Sequence, residues 1–120
     1  MEMVVSSLGE RLVRVQLSGR LDTQGVDHVE TRFVASLIPA ANSAIVDLSQ
    51  VDFISSMGIR MLVSAARSLK ARQGSLAVFG APERVTQIFE AVSLSKLLSI
   101  CATEDEALAA VASTTRPANA

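Results

Sequence analysis

Two adjacent serines, Ser55 and Ser56, stand where an apolar segment passes into an amphipathic helical pattern. Residues 51–54 form the end of the apolar segment, and Gly58 lies in the first turn of the pattern. The free N–H groups and the dipole of a helix N-terminus favour negative charge. A hydroxyl at this place either caps the helix or accepts a phosphoryl group. On the residue types alone, the interpretation of Ser56 as a helix cap is the favoured one.

The segments around the serines alternate between strand and helix patterns. Apolar or alternating runs predict strands at residues 3–6, 12–17, 44–48, 76–79 and 97–101. Apolar residues at helical spacing predict helices over 24–38, 56–71, 82–92 and from 103 onward. Residues 19–22 are predicted to form a turn. The order predicts an α/β domain with about four helices and a mixed sheet, antiparallel at its N-terminal edge and parallel in its inner strands.

Several residues mark helix ends. Asp22 or Thr23 is expected to cap the first helix, and Pro39 to stop it. The second helix is expected to end at residues 73–74, which are Gln-Gly. Thr103 and Glu106 have the spacing of a capping box before the last helix.

The composition is that of one globular domain. The chain has 120 residues, of which 49% are hydrophobic and 19% charged, enough for a packed core. We expect the domain to span residues 1–112 and residues 113–120 to form a flexible tail. The net charge of -1 does not indicate nucleic-acid binding, which usually requires a basic surface.

The reactive residue types are sparse. Cys101 is the only cysteine, so no internal disulfide and no Cys/His metal cluster is expected. The sequence has no nucleophile elbow and no glycine-rich phosphate loop, so no enzymatic activity and no cofactor are predicted. Neither a signal peptide nor an apolar run of spanning length is present, which favours a cytoplasmic protein without membrane insertion.

The helix at 56–71 is predicted to have two different faces. The buried face is expected to consist of Ile59, Leu62, Val63, Ala66 and Leu69. A stripe opposite to it is expected to consist of Met57, Met61, Ser64 and Ser68. This stripe is either ordinary surface or a partner-binding face, since methionine adapts to an apposed surface. Arg60 flanks the stripe.

Three segments carry a resemblance to a known family. They are LSGRLD at 17–22, DLS at 47–49 followed by FISSMGIRML at 53–62, and LAVFG at 76–80. In this order they resemble the anti-sigma factor antagonist family, the STAS domain. The resemblance covers nearly the whole chain.

The resemblance implies specific site residues. In the family, the serine two residues before the glycine is phosphorylated by a partner kinase, and that position is Ser56. Ser55 is a secondary candidate, because it stands where well-known members have an acidic residue. The family docks its kinase around this helix and the loop before it, which implies a partner-binding set. That set is Asp22, Ser55, Met57, Gly58, Arg60, Met61 and Ser64.

The implied function is regulatory. By resemblance, the unphosphorylated protein binds an anti-sigma factor serine kinase and so releases a sigma factor, which regulates transcription indirectly. Phosphorylation of Ser56 ends the complex, and a serine phosphatase restores the protein. ATP and magnesium would belong to the kinase, and the antagonist itself is expected to be a monomer or weak dimer. The alternative is an unphosphorylated scaffold subunit of a lipid-transport or stressosome-type complex.

Overall fold

One five-stranded sheet organises the protein, in a computed structural model that describes residues 1–9, 11–37 and 43–115. Its strands lie side by side in chain order: β1 (Glu2–Gly9), β2 (Leu12–Leu21), β3 (Ser43–Ile54), β4 (Leu76–Phe79) and β5 (Ser99–Cys101). β1 pairs antiparallel with β2, and each later pair of neighbours is parallel. The predicted mixed sheet with an antiparallel N-terminal edge is confirmed.

Among the described residues, four α-helices accompany the sheet, as predicted. They are α1 (Thr23–Leu37), α2 (Ser56–Ala71), α3 (Glu83–Ala91) and α4 (Glu104–Thr115). A short 3₁₀ helix, Leu94–Lys96, precedes β5, so the last strand is shorter than predicted. The predicted end of the first helix at Ile38 and Pro39 lies outside the described residues.

Strands β2 and β3 extend further than their apolar runs. The turn predicted at residues 19–22 is wrong, because Gly19, Arg20 and Leu21 pair with β3. The pairing shifts register twice, between Gln16 and Ser18 and between Gly19 and Arg20. The backbone N–H and C=O groups at the polar ends of the two strands hydrogen-bond to each other. The apolar pattern of either strand taken alone does not predict this extra pairing. Strand β3, paired with β2 to its last residue, therefore ends immediately before the start of α2.

The sheet has a hydrophobic core on each face. Helices α1, α2 and α3 pack on one face, where the larger buried side chains include Leu17, Leu48, Phe33, Leu62, Leu69 and Phe89. Helix α4 packs on the other face and buries Ala107 and Val111 against Ile45, Ala77 and Phe79. The first half of β3 and the whole of β4 are covered on both faces, and their runs at 44–46 and 76–79 are apolar without alternation.

The predicted helix ends are largely confirmed. Asp22, one of two predicted caps, accepts the Gly25 N–H on its Oδ1 at 2.9 Å. At α4, the Glu106 N–H donates to Thr103 Oγ1 at 3.2 Å, while Glu106 Oε1 accepts the Ala102 N–H at 3.0 Å. The glutamate of the capping box therefore reaches one residue further back than expected.

Two boundaries differ from the prediction. Pro82 is the N-cap of α3 instead of its first helical residue, and Val92 is the C-cap, where it is 50% exposed and outside the core. Helix α4 continues to Thr115, three residues into the predicted tail. Residues 116–120 lie outside the described part of the chain, so the predicted tail there stays a prediction.

Candidate functional site

The N-terminus of α2 is capped by Ser55. Its backbone is extended, with φ of -96° and ψ of 173°, and its Oγ accepts the Gly58 N–H at 3.3 Å. The same hydroxyl donates to the Leu21 carbonyl oxygen at 2.9 Å, and the Ser55 N–H donates to that oxygen at 2.8 Å. The interpretation of Ser56 as the cap is therefore wrong. The extension of β2 to Leu21 moves the capping role one residue earlier.

Ser56 is the first residue of α2 and is exposed to solvent. No group in the described residues hydrogen-bonds its hydroxyl. The first turn of α2 contains no acidic residue, so nothing there offsets the positive end of the helix dipole. This arrangement leaves a free hydroxyl where an added phosphoryl group meets favourable electrostatics.

Gly58 is buried in the first turn of α2, against the ends of β2 and β3. A Cβ added at Gly58 would lie 2.8 Å from Ile54 Cγ1 and 3.0 Å from the Leu21 carbonyl oxygen. Any larger residue would push the helix start away from the ends of β2 and β3. The glycine two residues after Ser56 thus has a packing role. Gly58 is buried, and its expected part in a partner-binding surface stays a prediction.

The predicted partner-facing stripe on α2 is wrong at Met61. This side chain is only 1% exposed and belongs to the core together with Ala65, while Ile59 and Val63 are only partly buried. The buried face is rotated relative to the prediction and consists of Gly58, Met61, Leu62, Ala65, Ala66 and Leu69. Met57 is partly buried and packs against the same core.

A different exposed stripe takes its place. Ser56, Arg60 and Ser64 are exposed and follow each other at intervals of four residues. Residues four apart lie on the same side of a helix, so these three side chains form one surface, here called the α2 stripe. Of the predicted partner-binding residues, Arg60 and Ser64 therefore lie on the same surface as Ser56. Ser68 extends this surface by one further turn.

Asp22 lies at the junction of β2 and α1, directly after the carbonyl group that binds Ser55. Its carboxylate accepts the Gly25 N–H and pairs with Arg20 at 3.5 Å. The pKa of Asp22 lies below its usual value, mainly because its carboxylate accepts the Gly25 N–H and to a smaller extent because it pairs with Arg20. The Arg20 guanidinium lies over the Phe53 ring, 4.6 Å from its centroid. Asp22 is thus already engaged as a cap, and a docking role for it stays a prediction.

A second ionic cluster, missed by the sequence analysis, connects α4 to the sheet. Arg14 Nη2 lies 3.0 Å from Asp47 Oδ2 and 3.2 Å from Glu104 Oε1. Burial disfavours ionisation of Asp47, but the Ser49 N–H and Arg14 outweigh it and hold its pKa below the usual value. The Glu104 hydrogen bond, despite partial burial, raises the pKa of Arg14. Successive side chains of β2 and β3 point to opposite faces of the sheet, so Arg14 and Asp47 lie on the face opposite α1. This alternation is a sequence signal that could have placed both residues on the same face of the sheet.

Neither a metal site nor a spanning helix is found in the part of the chain that the structure describes. No group of three or more His, Cys, Asp or Glu side chains is suitably placed for a metal ion. Burial raises the pKa of the Cys101 thiol, which makes this cysteine less reactive at neutral pH. No helix among residues 1–9, 11–37 and 43–115 is both long and apolar enough to cross a membrane.

Comparison with known proteins shows to which family this chain belongs. The family model of the STAS domain matches residues 7–107, which include every element from β2 to β5 and the start of α4. The chain belongs to the STAS domain family. An anti-sigma-B factor antagonist of Listeria monocytogenes is 36% identical over 61 residues, which are 51% of this chain and 54% of that protein. This alignment thus spans only about half the length of that relative.

Two further proteins cover most of this STAS domain. BtrV of Bordetella bronchiseptica, provisionally named an anti-sigma factor antagonist, is 30% identical over 103 residues, covering 84% of this chain and 86% of that protein. The anti-sigma factor antagonist SpoIIAA has been solved in an unphosphorylated form, which matches with a TM-score of 0.77 and 21% identity over 93% of this chain and 97% of its own. Its phosphorylated form matches with a TM-score of 0.68 and 21% identity, over 90% of this chain and 97% of its own. The SpoIIAA structures establish the fold of the present chain.

Proposed function

We propose that this STAS domain is an anti-sigma factor antagonist that is switched by phosphorylation of Ser56. The observation that carries the proposal is the contrast between two adjacent serines. Ser56 is exposed and its hydroxyl is unbonded within the described structure, whereas the Ser55 hydroxyl both donates and accepts a hydrogen bond. Ser56 is therefore the accessible acceptor, and Ser55 is the residue that holds the helix start in place.

The proposed cycle has two states. Unphosphorylated, the protein binds an anti-sigma factor serine kinase through the α2 stripe and the adjoining β2–α1 junction, and the sigma factor is released. The kinase, which would hold ATP and magnesium, then transfers the γ-phosphoryl group of ATP to the Ser56 oxygen. The new oxygen–phosphorus bond replaces the bond from that phosphorus to the β,γ-bridging oxygen, and ADP and the hydroxyl proton leave. A serine phosphatase reverses the change. The names of the sequence relatives, and the existence of SpoIIAA in unphosphorylated and phosphorylated forms, support this cycle.

The geometry favours a surface mechanism over unfolding. A phosphoryl group adds a charge of about -1.5 to -2 at neutral pH. At the first residue of α2 it faces the positive end of the helix dipole, and the first turn contains no acid to repel it. The new charge would instead disfavour a partner surface that had packed against an uncharged serine, because an unpaired charge is costly to bury.

The test is a kinase reaction followed by peptide mapping. The kinase is obtained by pull-down from the source cell with the unmodified chain, and wild type, Ser56→Ala and Ser55→Ala are then incubated with it and ATP. We expect one phosphate per chain on Ser56 in wild type, none in Ser56→Ala, and phosphorylation still directed to Ser56 in Ser55→Ala. Phosphate mapped mainly to Ser55 contradicts the assignment. A stable complex that forms without any phosphorylation favours the scaffold alternative.

A further inference from the structure

Arg60 lies one helical turn after Ser56 on the α2 stripe. The two residues are four positions apart within α2, so their side chains are neighbours on the same exposed side. The neighbours of Arg60 three or four positions away are Ser56, Met57, Val63 and Ser64, none of which is acidic. Arg60 also has no ion-pair partner among the described residues. It is therefore an exposed cation without an acid on its own helix to neutralise it.

Two other arginines near the sheet are already engaged. Arg14 is paired with Asp47 and Glu104, and Arg20 is paired with Asp22 and lies over Phe53. Neither guanidinium is free to turn toward a new anion without losing an existing contact. Arg60 would lose no existing ion pair by turning toward position 56. Of these three arginines, it is therefore the one that can pair most easily with a negative charge there.

We propose that Arg60 is the internal counter-ion of phosphorylated Ser56, an inference that rests on the proposed function. The guanidinium donates its N–H groups to the phosphoryl oxygens, a pairing that suits the planar fork of arginine. The order is also the favourable one, because an anion N-terminal to a cation four residues later agrees with the helix dipole.

The pairing gives the switch a second effect. In the unphosphorylated chain, the α2 stripe presents the positive charge of Arg60 next to a neutral serine. After phosphorylation, Arg60 is held by the phosphoryl group and the net charge of the pair becomes about -0.5 to -1. A partner that offers an acidic group to Arg60 therefore loses that contact and meets the new negative charge at the same time.

The test uses full-length chain carrying phosphoserine at position 56, inserted during translation. The second ionisation of the phosphoserine is followed by ³¹P NMR as a function of pH in three backgrounds: wild type, Arg60→Gln and Arg67→Gln. Because Arg60 favours the dianion, the ionisation constant should be about twofold or more smaller in Arg60→Gln than in wild type, as for an ion pair one turn apart. Arg67 is an exposed arginine of the same helix, 11 residues and therefore roughly 16 Å along the helix axis from position 56, so Arg67→Gln should leave the constant unchanged.

Arg60→Lys supplies a rescue arm, because it keeps the charge and the helical position. Its ionisation constant should lie closer to wild type than to Arg60→Gln. Equal constants in Arg60→Gln and Arg67→Gln, or a lysine variant that titrates like Arg60→Gln, would overturn the proposal. Since the phosphoserine is installed without a kinase, failure here is distinct from failure of the kinase reaction, which tests only whether Ser56 is the natural acceptor.

Discussion

The hydroxyl of Ser55 donates a hydrogen bond to the carbonyl oxygen of Leu21 at 2.9 Å. This bond joins the end of β2 to the start of α2, and the same hydroxyl accepts the Gly58 N–H inside the helix. Ser55 therefore fixes where α2 begins relative to the sheet. The Ser55 hydroxyl is occupied by these two hydrogen bonds, whereas the hydroxyl of the next residue, Ser56, faces solvent.

The two serines should differ in their effect on stability. Ser55→Ala removes the helix cap and the donor to Leu21, so its free energy of unfolding should fall by about 1–2 kcal/mol. Ser56→Ala removes an exposed hydroxyl and should change the free energy by less than about 0.5 kcal/mol. Urea denaturation of both variants measures the difference. Equal losses in the two variants would show that Ser55 is not the principal cap.

A negative charge at position 56 should leave the fold intact and weaken kinase binding. Aspartate at the first helical residue interacts favourably with the dipole, so Ser56→Asp should shift the unfolding free energy by less than about 1 kcal/mol. Thermal melting and a binding titration with the kinase separate the two effects, and Ser56→Ala is the matched uncharged control. Non-cooperative melting of Ser56→Asp would mean that the charge acts through unfolding.

Charge introduced on α2 should have opposite consequences at Met61 and Ser64. Met61 is 1% exposed, so Met61→Glu should destabilise the protein by about 3–5 kcal/mol through lost apolar contacts and a buried charge. Ser64 is exposed, so Ser64→Glu should melt like wild type and, under the proposed docking, bind the kinase about tenfold more weakly. Circular dichroism and a binding titration check both variants. Normal kinase binding by Ser64→Glu would remove this position from the docking surface.

The Arg14–Asp47–Glu104 cluster should make stability depend on pH in the acid range. Folding lowers the pKa of Asp47, so its carboxylate stabilises the protein fully above the unfolded value of about 3.9. That contribution disappears as the pH falls through the lower folded value. Asp47→Asn should therefore cost about 1–3 kcal/mol at pH 7 and progressively less below about pH 4.

Asp52→Asn is the matched control for this cluster, because Asp52 lies on the same strand and is exposed. At pH 7 its unfolding free energy should lie within about 0.5 kcal/mol of that of wild type, as expected for an exposed substitution. Denaturation curves at several pH values measure all three proteins. A constant difference between Asp47→Asn and wild type across those pH values would contradict the proposed ionic contribution of Asp47.

Local sequence patterns were enough to predict the order and type of nearly all elements. Apolar spacing in α1 and α3 and the apolar runs of β3 and β4 are local signals, and they predicted these elements correctly to within a few residues. The Asp22 cap and the Thr103–Glu106 pair are local as well, because each joins residues only three apart. The resemblance of residues 53–62, which include Gly58, to the STAS family was also recognised from the sequence without a structure.

The tertiary structure alone decided which side chains of α2 are exposed and which serine is free. The Ser55–Leu21 bond spans 34 residues and the Arg14–Asp47 pair spans 33, so no local pattern shows that the two members of either pair meet. Met61 was assigned to the wrong face for the same reason. The orientation of an amphipathic helix depends on how it packs against its neighbours. At Gly58 that packing leaves no room for a Cβ, which would lie 2.8 Å from Ile54 Cγ1, and this distance is a property of the packed elements together.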